Sequence, residues 1–177
     1  KEHGPEAIGA LVSPHATLEE MYLAGKLMRG IGSGNVDFRL RQSDFSGRRL
    51  GTPWLGMKIA ELNKLDRVLL VGSFLRKDQP LVAQRLRQAA KRGAQISVVH
   101  AADDDLLMAV SGKLIAAPSL LPERLAQVVK AVAELKGAAS GLEVTVSPEA
   151  RQIAESLASG QNTAVLLGSF AQQHERA

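Results

Sequence analysis

Apolar residues along the chain follow two alternating patterns. Short runs bounded by turn residues give way to segments in which apolar side chains recur every three or four positions. Such alternation marks βαβ units around a parallel sheet, since a chain must cross back over the sheet before it can lay down the next parallel strand. The runs predict strands at 8–13, 67–73, 94–100 and 164–169, with shorter ones at 35–37 and 113–116. Val68-Leu69-Leu70-Val71-Gly72 is apolar on both faces, as a central strand covered above and below should be. Each Leu or Val buried there stabilises the fold by about 1.5–3 kcal/mol.

The helical segments carry their own punctuation. Thr17 predicts an N-cap, with Glu20 as its capping-box partner. Leu18, Tyr22, Gly25 and Met28 then share one face, Glu19 and Glu20 suit the first turn, Lys26 and Arg29 suit the last, and Gly30 and Gly32 end the helix. A short helix is predicted at 59–63. Pro80 opens a helix with Val82, Leu86, Ala89 and Ala90 inward and Arg85, Arg87, Lys91 and Arg92 outward, stopped by Gly93. Asp103-Asp104-Asp105 precedes a predicted helical stretch at 106–108. Pro122 opens a long helix with Leu125, Val128, Val129, Val132 and Leu135 as its inner stripe, closed by Gly137. Ser147-Pro148-Glu149 opens another, through Ile153 and Leu157 to Gly160. Between 33 and 56 periodicity is lost apart from the short strand, and a loop of that length is either functional or packed against something else. The expected fold is α/β, with Rossmann-like three-layer units and a mainly parallel sheet.

Composition narrows the function. The 177 residues are 45% hydrophobic and 23% charged, which fits one folded domain or two small ones sharing a sheet. The absence of cysteine removes disulfides, thiolate zinc sites, cysteine nucleophiles and cysteine-held iron–sulfur clusters from this chain. No apolar run approaches the roughly 20 residues of a membrane span, so direct insertion is not expected. The net charge of +4 comes from 22 basic and 18 acidic residues mixed along the chain, and only 3% of residues are aromatic, so a nucleic-acid partner is not expected either. The chain starts without methionine, 1–7 reads as a linker or the tail of an element, and the end follows closely on an apolar strand, so the sequence reads as a fragment of a longer protein.

Candidate chemistry is sparse. Leu69-Leu70-Val71-Gly72-Ser73-Phe74 is echoed by Val165-Leu166-Leu167-Gly168-Ser169-Phe170, so a strand ending in Gly-Ser-Phe is used twice. Gly72, Ser73, Gly168 and Ser169 could cradle phosphates at the carboxyl edge of the sheet. Neither turn has Rossmann or P-loop spacing, and glycines serving a tight turn or close packing are the plainer reading. His100 with Asp103, Asp104 and Asp105 offers nitrogen and oxygen ligands, but adjacent aspartates diverge, which favours a helix-start role over a metal. Ser13-Pro14-His15 lacks an acid partner for nucleophilic catalysis. Arg39, Arg41, Arg48 and Arg49 could hold an anion or pair with acids of a partner surface, and the second is favoured. No catalytic residue and no metal site is assigned.

Three stretches carry a family resemblance: Ala10-Leu11-Val12-Ser13-Pro14-His15-Ala16-Thr17-Leu18-Glu19-Glu20, Gly32-Ser33-Gly34-Asn35-Val36-Asp37-Phe38-Arg39-Leu40-Arg41-Gln42-Ser43-Asp44-Phe45, and Val71-Gly72-Ser73-Phe74-Leu75-Arg76-Lys77-Asp78-Gln79-Pro80-Leu81. Together they resemble the molybdopterin oxidoreductase-like region of the large G subunits of bacterial NADH-quinone oxidoreductases, the respiratory complex I family. The similarity runs from 8 to 173, so the whole of 1–177 is taken as part of that region. It implies a core shared with formate dehydrogenases and dimethyl sulfoxide reductases, whose parallel sheets bind a bis-pterin guanine dinucleotide. Working members place Gly-Ser-Asn after the strand like 67–73, Asp-Pro-Arg after the strand like 94–100, and Arg-x-Cys-His or similar in the long loop. Here those places hold Gly72-Ser73-Phe74, His100-Ala101-Ala102 and Arg39-Leu40-Arg41-Gln42. Each departure removes a group that would hold the cofactor.

The resemblance therefore implies a non-catalytic scaffold in which Gly72, Ser73, Gly168 and Ser169 mark a degenerate dinucleotide cleft. It implies no cofactor in this chain, with iron–sulfur clusters in a cysteine-rich amino-terminal part of the larger protein. The partners would be other peripheral-arm subunits of complex I, and the location cytoplasmic, peripheral to the inner membrane. The alternative is a working molybdopterin guanine dinucleotide-binding domain of a formate dehydrogenase-like oxidoreductase, with the same four residues on the phosphates. A nucleic-acid-binding domain comes last.

Overall fold

The computed structural model describes residues 2–13, 15–38 and 55–174, and it falls into two units, Lys1–Gln42 and Ser43–Ala177. In the first, strand β1 (Ala10–Leu11) pairs in parallel with β2 (Val36–Asp37), and helix α1 (Leu18–Gly30) connects them. The predicted capping box is present: Glu20 N donates to Thr17 Oγ1 at 3.2 Å and Thr17 N donates to Glu20 Oε2 at 2.8 Å. Ser33, 1% exposed, ties the return of the helix to the strand entry by donating to Ile8 O at 2.7 Å and accepting from Asn35 N at 3.2 Å. The predicted inner face of α1 is only half realised, since Gly25 and Met28 are buried while Leu18 and Tyr22 are 79% and 61% exposed. The reason is length: a two-residue strand pair spans about 7 Å, against about 20 Å for the helix.

The second unit is built on a four-stranded parallel sheet. Its strands β3 (Arg67–Val71), β4 (Gln95–His100), β5 (Gly112–Ile115) and β6 (Thr163–Leu167) lie in the order β5-β4-β3-β6, separate from the β1-β2 pair. The central place of β3 explains its unbroken apolar run. Val68 is in register with Ile96 on one side and Ala164 on the other. Alternate residues then enter different layers. Val68 and Leu70 join Ile96 and Val98 beneath Leu62, Ala83 and Leu86, whereas Leu69 and Val71 join Val99 and Leu114 beneath Val128, Ala150 and Ile153.

Leu62 belongs to the short helix predicted at 59–63, which is a 3-10 helix, Ile59–Lys64. The remaining elements are α2 (Leu75–Asp78), α3 (Pro80–Lys91), α4 (Leu121–Leu135), α5 (Pro148–Ala158) and α6 (Ser169–Gln172). Helix α3 covers one face, and α4 with α5 the other, completing the three layers. On the edge strand β6, Val165 and Leu167 stay 54% and 53% exposed, because α4 and α5 sit over β3, β4 and β5 on that face.

Two sequence expectations fail in this unit. Residues 106–108 are not helical. The stretch from 101 to 111 must run back the length of the sheet, and helix advances only about 1.5 Å per residue against about 3.3 Å for extended chain. Instead Leu107 takes a φ of 53°, held by Leu107 N donating to Asp105 Oδ1 at 2.8 Å, while Leu106 anchors the crossover in the core. The aspartates thus serve a turn and a salt bridge, Lys113–Asp103 at 2.6 Å, and no helix start. The inner stripe of α4 is also displaced. Val129 and Leu135 are 49% and 44% exposed, whereas Gln127 and Ala131 are buried, because small residues at Ala131, Ala150 and Ala154 let α4 and α5 pack closely.

Asp66 fastens the start of β3 to the entry of β6, its Oδ2 accepting from Gln161 N at 3.0 Å and Asn162 N at 3.1 Å. The Asn162 amide chiefly, with that of Gln161 and the nearby Arg67, holds the carboxyl below the ordinary carboxylate range, against an opposing effect of burial. A carboxylate depressed in the folded state stabilises fully above its unfolded value of about 3.9 and loses that contribution as pH falls through the folded value. Asp66→Asn is expected to be less stable than the parent at neutral pH, with the two converging on acidification. Urea denaturation across the acid range checks this.

Candidate functional site

The order of the strands locates a crevice. From β3 the chain steps outward to β4 and β5, then returns to lay β6 on the other side of β3. The order therefore reverses between β3 and β6, and the carboxyl ends at such a point are where open α/β sheets hold ligands. Val71 is in register with Leu167, so the two Gly-Ser-Phe turns leave the sheet side by side. The structure brings Gly72, Ser73, Gly168 and Ser169 together, as the sequence led us to expect.

Their backbone is occupied with each other. Gly72 adopts a φ of 54°, and a Cβ there would lie 2.6 Å from Ala171 N. A Cβ on Gly168 would collide with Ser73 Cβ and the Gly72 carbonyl. The Phe170 and Ala171 amides in the first turn of α6, the donors a phosphate would need, go to Gly72 O at 3.1 and 3.2 Å. Gly168 N donates to Val71 O at 2.8 Å and Gly72 N to Val99 O at 2.9 Å. Ser73 is 8% exposed. Close packing, more than phosphate approach, accounts for the glycines.

Aromatic rings close the same edge. The Phe74 and His100 ring centres lie 4.5 Å apart, His100 and Phe170 5.8 Å, and Phe74 and Phe170 6.4 Å, with interplanar angles of 76°, 79° and 81°. These are edge-to-face contacts, in which the positive rim of one ring meets the negative face of the next. They draw on residues at the ends of β4, β3 and β6. His100 is 1% exposed and neither ring nitrogen has a hydrogen-bond partner. Burial pushes its imidazole below the ordinary histidine range, with Asp104 and Asp78 pulling less strongly the other way. His100 is therefore the neutral third ring of the cluster. Beside it, Ser73, His100, Asp103, Asp104 and Lys113 help to line a space of only about 10 Å³. Small-molecule pockets run to roughly 300–1,000 Å³.

The described residues at this edge do not fit a pterin guanine dinucleotide. The Phe74 ring offers it no hydrogen bond, and His100 is enclosed by rings. Of the nearby carboxylates, Asp103 is bound to Lys113, Asp105 takes the Leu107 amide and faces Arg76 at 3.8 Å, and Asp104 keeps a buried Oδ2 without a partner. Among the described residues no group of three His, Cys, Asp or Glu side chains is arranged to hold a metal ion. The Ser13 hydroxyl accepts from the His15 backbone amide at 3.2 Å, which makes a local turn. Arg39, Arg41, Arg48 and Arg49, and with them the Arg39-Leu40-Arg41-Gln42 run, lie outside the described residues. What sequence reasoning missed is Phe170. Its signal was the Gly-Ser-Phe repeat itself, whose third member turns out to complete the ring cluster.

Comparison with known proteins agrees with the geometry of the sheet. Residues 1–175 match the family model described as molybdopterin oxidoreductase. In a 153-residue alignment the chain is 31% identical to the G subunit of the NADH-quinone oxidoreductase of Mycobacterium bovis, covering 68% of this chain and 19% of that protein. It is 36% identical to a nitrate reductase of Klebsiella oxytoca over 103 residues, 55% of this chain and 12% of that protein. A putative formate dehydrogenase of Staphylococcus aureus is 33% identical over 97 residues, 51% of this chain and 10% of that protein. The chain spans at most 19% of the length of these relatives. Its parallel three-layer sheet and its sequence together place the chain in the molybdopterin oxidoreductase family.

Proposed function

We propose that this chain is a structural, non-catalytic domain of a large redox subunit of the NADH:quinone oxidoreductase type, in which an inherited cofactor cleft is filled by the protein's own side chains. The observation that supports it best is the cluster of Phe74, His100 and Phe170 at the point where the strand order reverses. Rings there supply apolar contact where a working site would need donors, acceptors and room. In this reading electrons pass through iron–sulfur clusters held elsewhere in the larger protein, and this domain positions surfaces for other peripheral-arm subunits on the cytoplasmic side of the membrane. No helix among the described residues is long and apolar enough to cross a membrane.

A second reading is a working cofactor domain of a formate dehydrogenase-like enzyme. It draws on the similarity to the nitrate reductase and the putative formate dehydrogenase, at identities as high as that to the Mycobacterium bovis protein. Metal analysis and mass spectrometry of the full-length protein, purified with its partners, separate the two. The structural reading expects neither molybdenum nor a pterin guanine dinucleotide; one equivalent of either would establish the second.

Two substitutions test the closed edge itself. Gly72→Ala forces a side chain into left-handed backbone, which costs about 1–2 kcal/mol before the collision with Ala171 adds to it. A stability loss of at least that size in chemical denaturation is expected whether or not any nucleotide is present; unchanged stability would contradict the packing account. His100 binds its proton less readily folded than unfolded, so the parent loses stability as pH falls below about 6.5, until the folded value is reached. His100→Phe is expected to flatten that part of the pH–stability profile, measured by thermal unfolding.

A further inference from the structure

Among the described residues, five buried side-chain nitrogen or oxygen atoms have no hydrogen-bond partner: Asp66 Oδ1, both ring nitrogens of His100, Asp104 Oδ2 and Gln127 Oε1. Buried polar atoms are rarely left so. Three of the five gather in one place, because His100 and Asp104 both line the space of about 10 Å³ beside the ring cluster. A larger concavity of about 360 Å³, at the amino edge where β4 and β5 begin, shows no such gathering. None of its lining residues is among the five, and its polar side chains are engaged with their surroundings, Ser156 Oγ donating to Gln95 Oε1 at 2.6 Å and Gln152 Nε2 to Ser111 O at 3.2 Å.

The unmet groups specify what would satisfy them. A neutral imidazole has one nitrogen that donates and one that accepts, and an ionised carboxylate only accepts. His100 and Asp104 make no direct hydrogen bond to each other. They are neighbours all the same: burial lowers the His100 pKa most, and of the two carboxylates that oppose it, Asp104 acts more strongly than Asp78. Such an attraction fades with distance. The remaining charges near the space are answered, since Asp103 is held by Lys113 at 2.6 Å and Asp105 faces Arg76 at 3.8 Å.

Size narrows the choice further. The volume is close to the least that admits one water, roughly 10–15 Å³, and a buried water makes about three hydrogen bonds to groups that otherwise have none. An organic ligand has no room. A metal ion lacks ligands, since no group of three His, Cys, Asp or Glu side chains is arranged to hold one among the described residues. A water molecule can accept from an imidazole N–H and donate to a carboxylate at the same time, which answers both side chains.

We propose that this space is a binding site for a single water molecule, which accepts from an imidazole N–H of His100 and donates to Asp104 Oδ2. The bridge fastens the crossover that follows β4 to the last residue of that strand, and it selects which His100 nitrogen carries the proton. The proposal does not depend on whether the domain is catalytic. Metal and cofactor analysis decides that question and leaves this one untouched.

A structure of the full-length protein at a resolution that shows individual waters tests the site, with Asp104→Ala and Asp104→Asn determined alongside. The expected result is one peak within hydrogen-bond distance of both the Asp104 carboxylate and a His100 nitrogen. That peak is lost in Asp104→Ala and kept in Asp104→Asn, whose amide retains an acceptor oxygen. A direct bond between His100 and Asp104, an unfilled space, a peak at metal-coordination distances, or a peak that persists unchanged in Asp104→Ala overturns the proposal.

Discussion

Strand β3 is hydrogen-bonded on both sides and buried on both faces, and the placement of almost everything in the larger unit follows from it. Leu69 and Leu70 are neighbours in sequence yet enter different cores, one under α4 and α5 and the other under α3. A one-residue slip in its pairing would exchange those cores. Because β3 cannot slip, the turn that follows it is fixed against the ends of β4 and β6, and Phe74 meets His100 and Phe170 at set distances. The ring cluster is thus a consequence of register as much as of residue type.

The two edges of the sheet have opposite character. At the carboxyl edge, amides bond to carbonyls of the neighbouring turn, rings stack edge to face, and a histidine is kept neutral by burial. At the amino edge, hydroxyls, amides and a carboxylate surround open space. Family membership describes the scaffold, since one fold hosts unrelated sites. The side chains at each edge decide what that scaffold can do.

How much of this could be read from the sequence depends on how local each signal is. The capping box at Thr17 and Glu20, the N-cap at Ser147 and the apolar run at 68–71 are set within a few residues, and all appear as expected. The failures are tertiary. The apolar residues of α4 allow more than one inward stripe, and only the closeness of α5 selects the one centred on Val128 and Ala131. The 106–108 stretch has helical composition, but the distance its crossover must cover forbids a helix. Of the site, Gly72, Ser73, Gly168 and Ser169 were legible through their repetition, though not what they do. The amino-edge pocket was not legible at all, because its members come from 95–97, 111–112 and 152–159 and no single window contains them.

The facing Gly-Ser-Phe turns also bear on how the sequence can drift. Gly72 is held open by Ala171, and Gly168 by Ser73, so each turn is the steric limit of the other. A larger residue on either side needs a compensating change across the gap, which makes these positions an energetically coupled pair despite lying almost a hundred residues apart. Related chains that enlarge one turn should therefore have reshaped its counterpart.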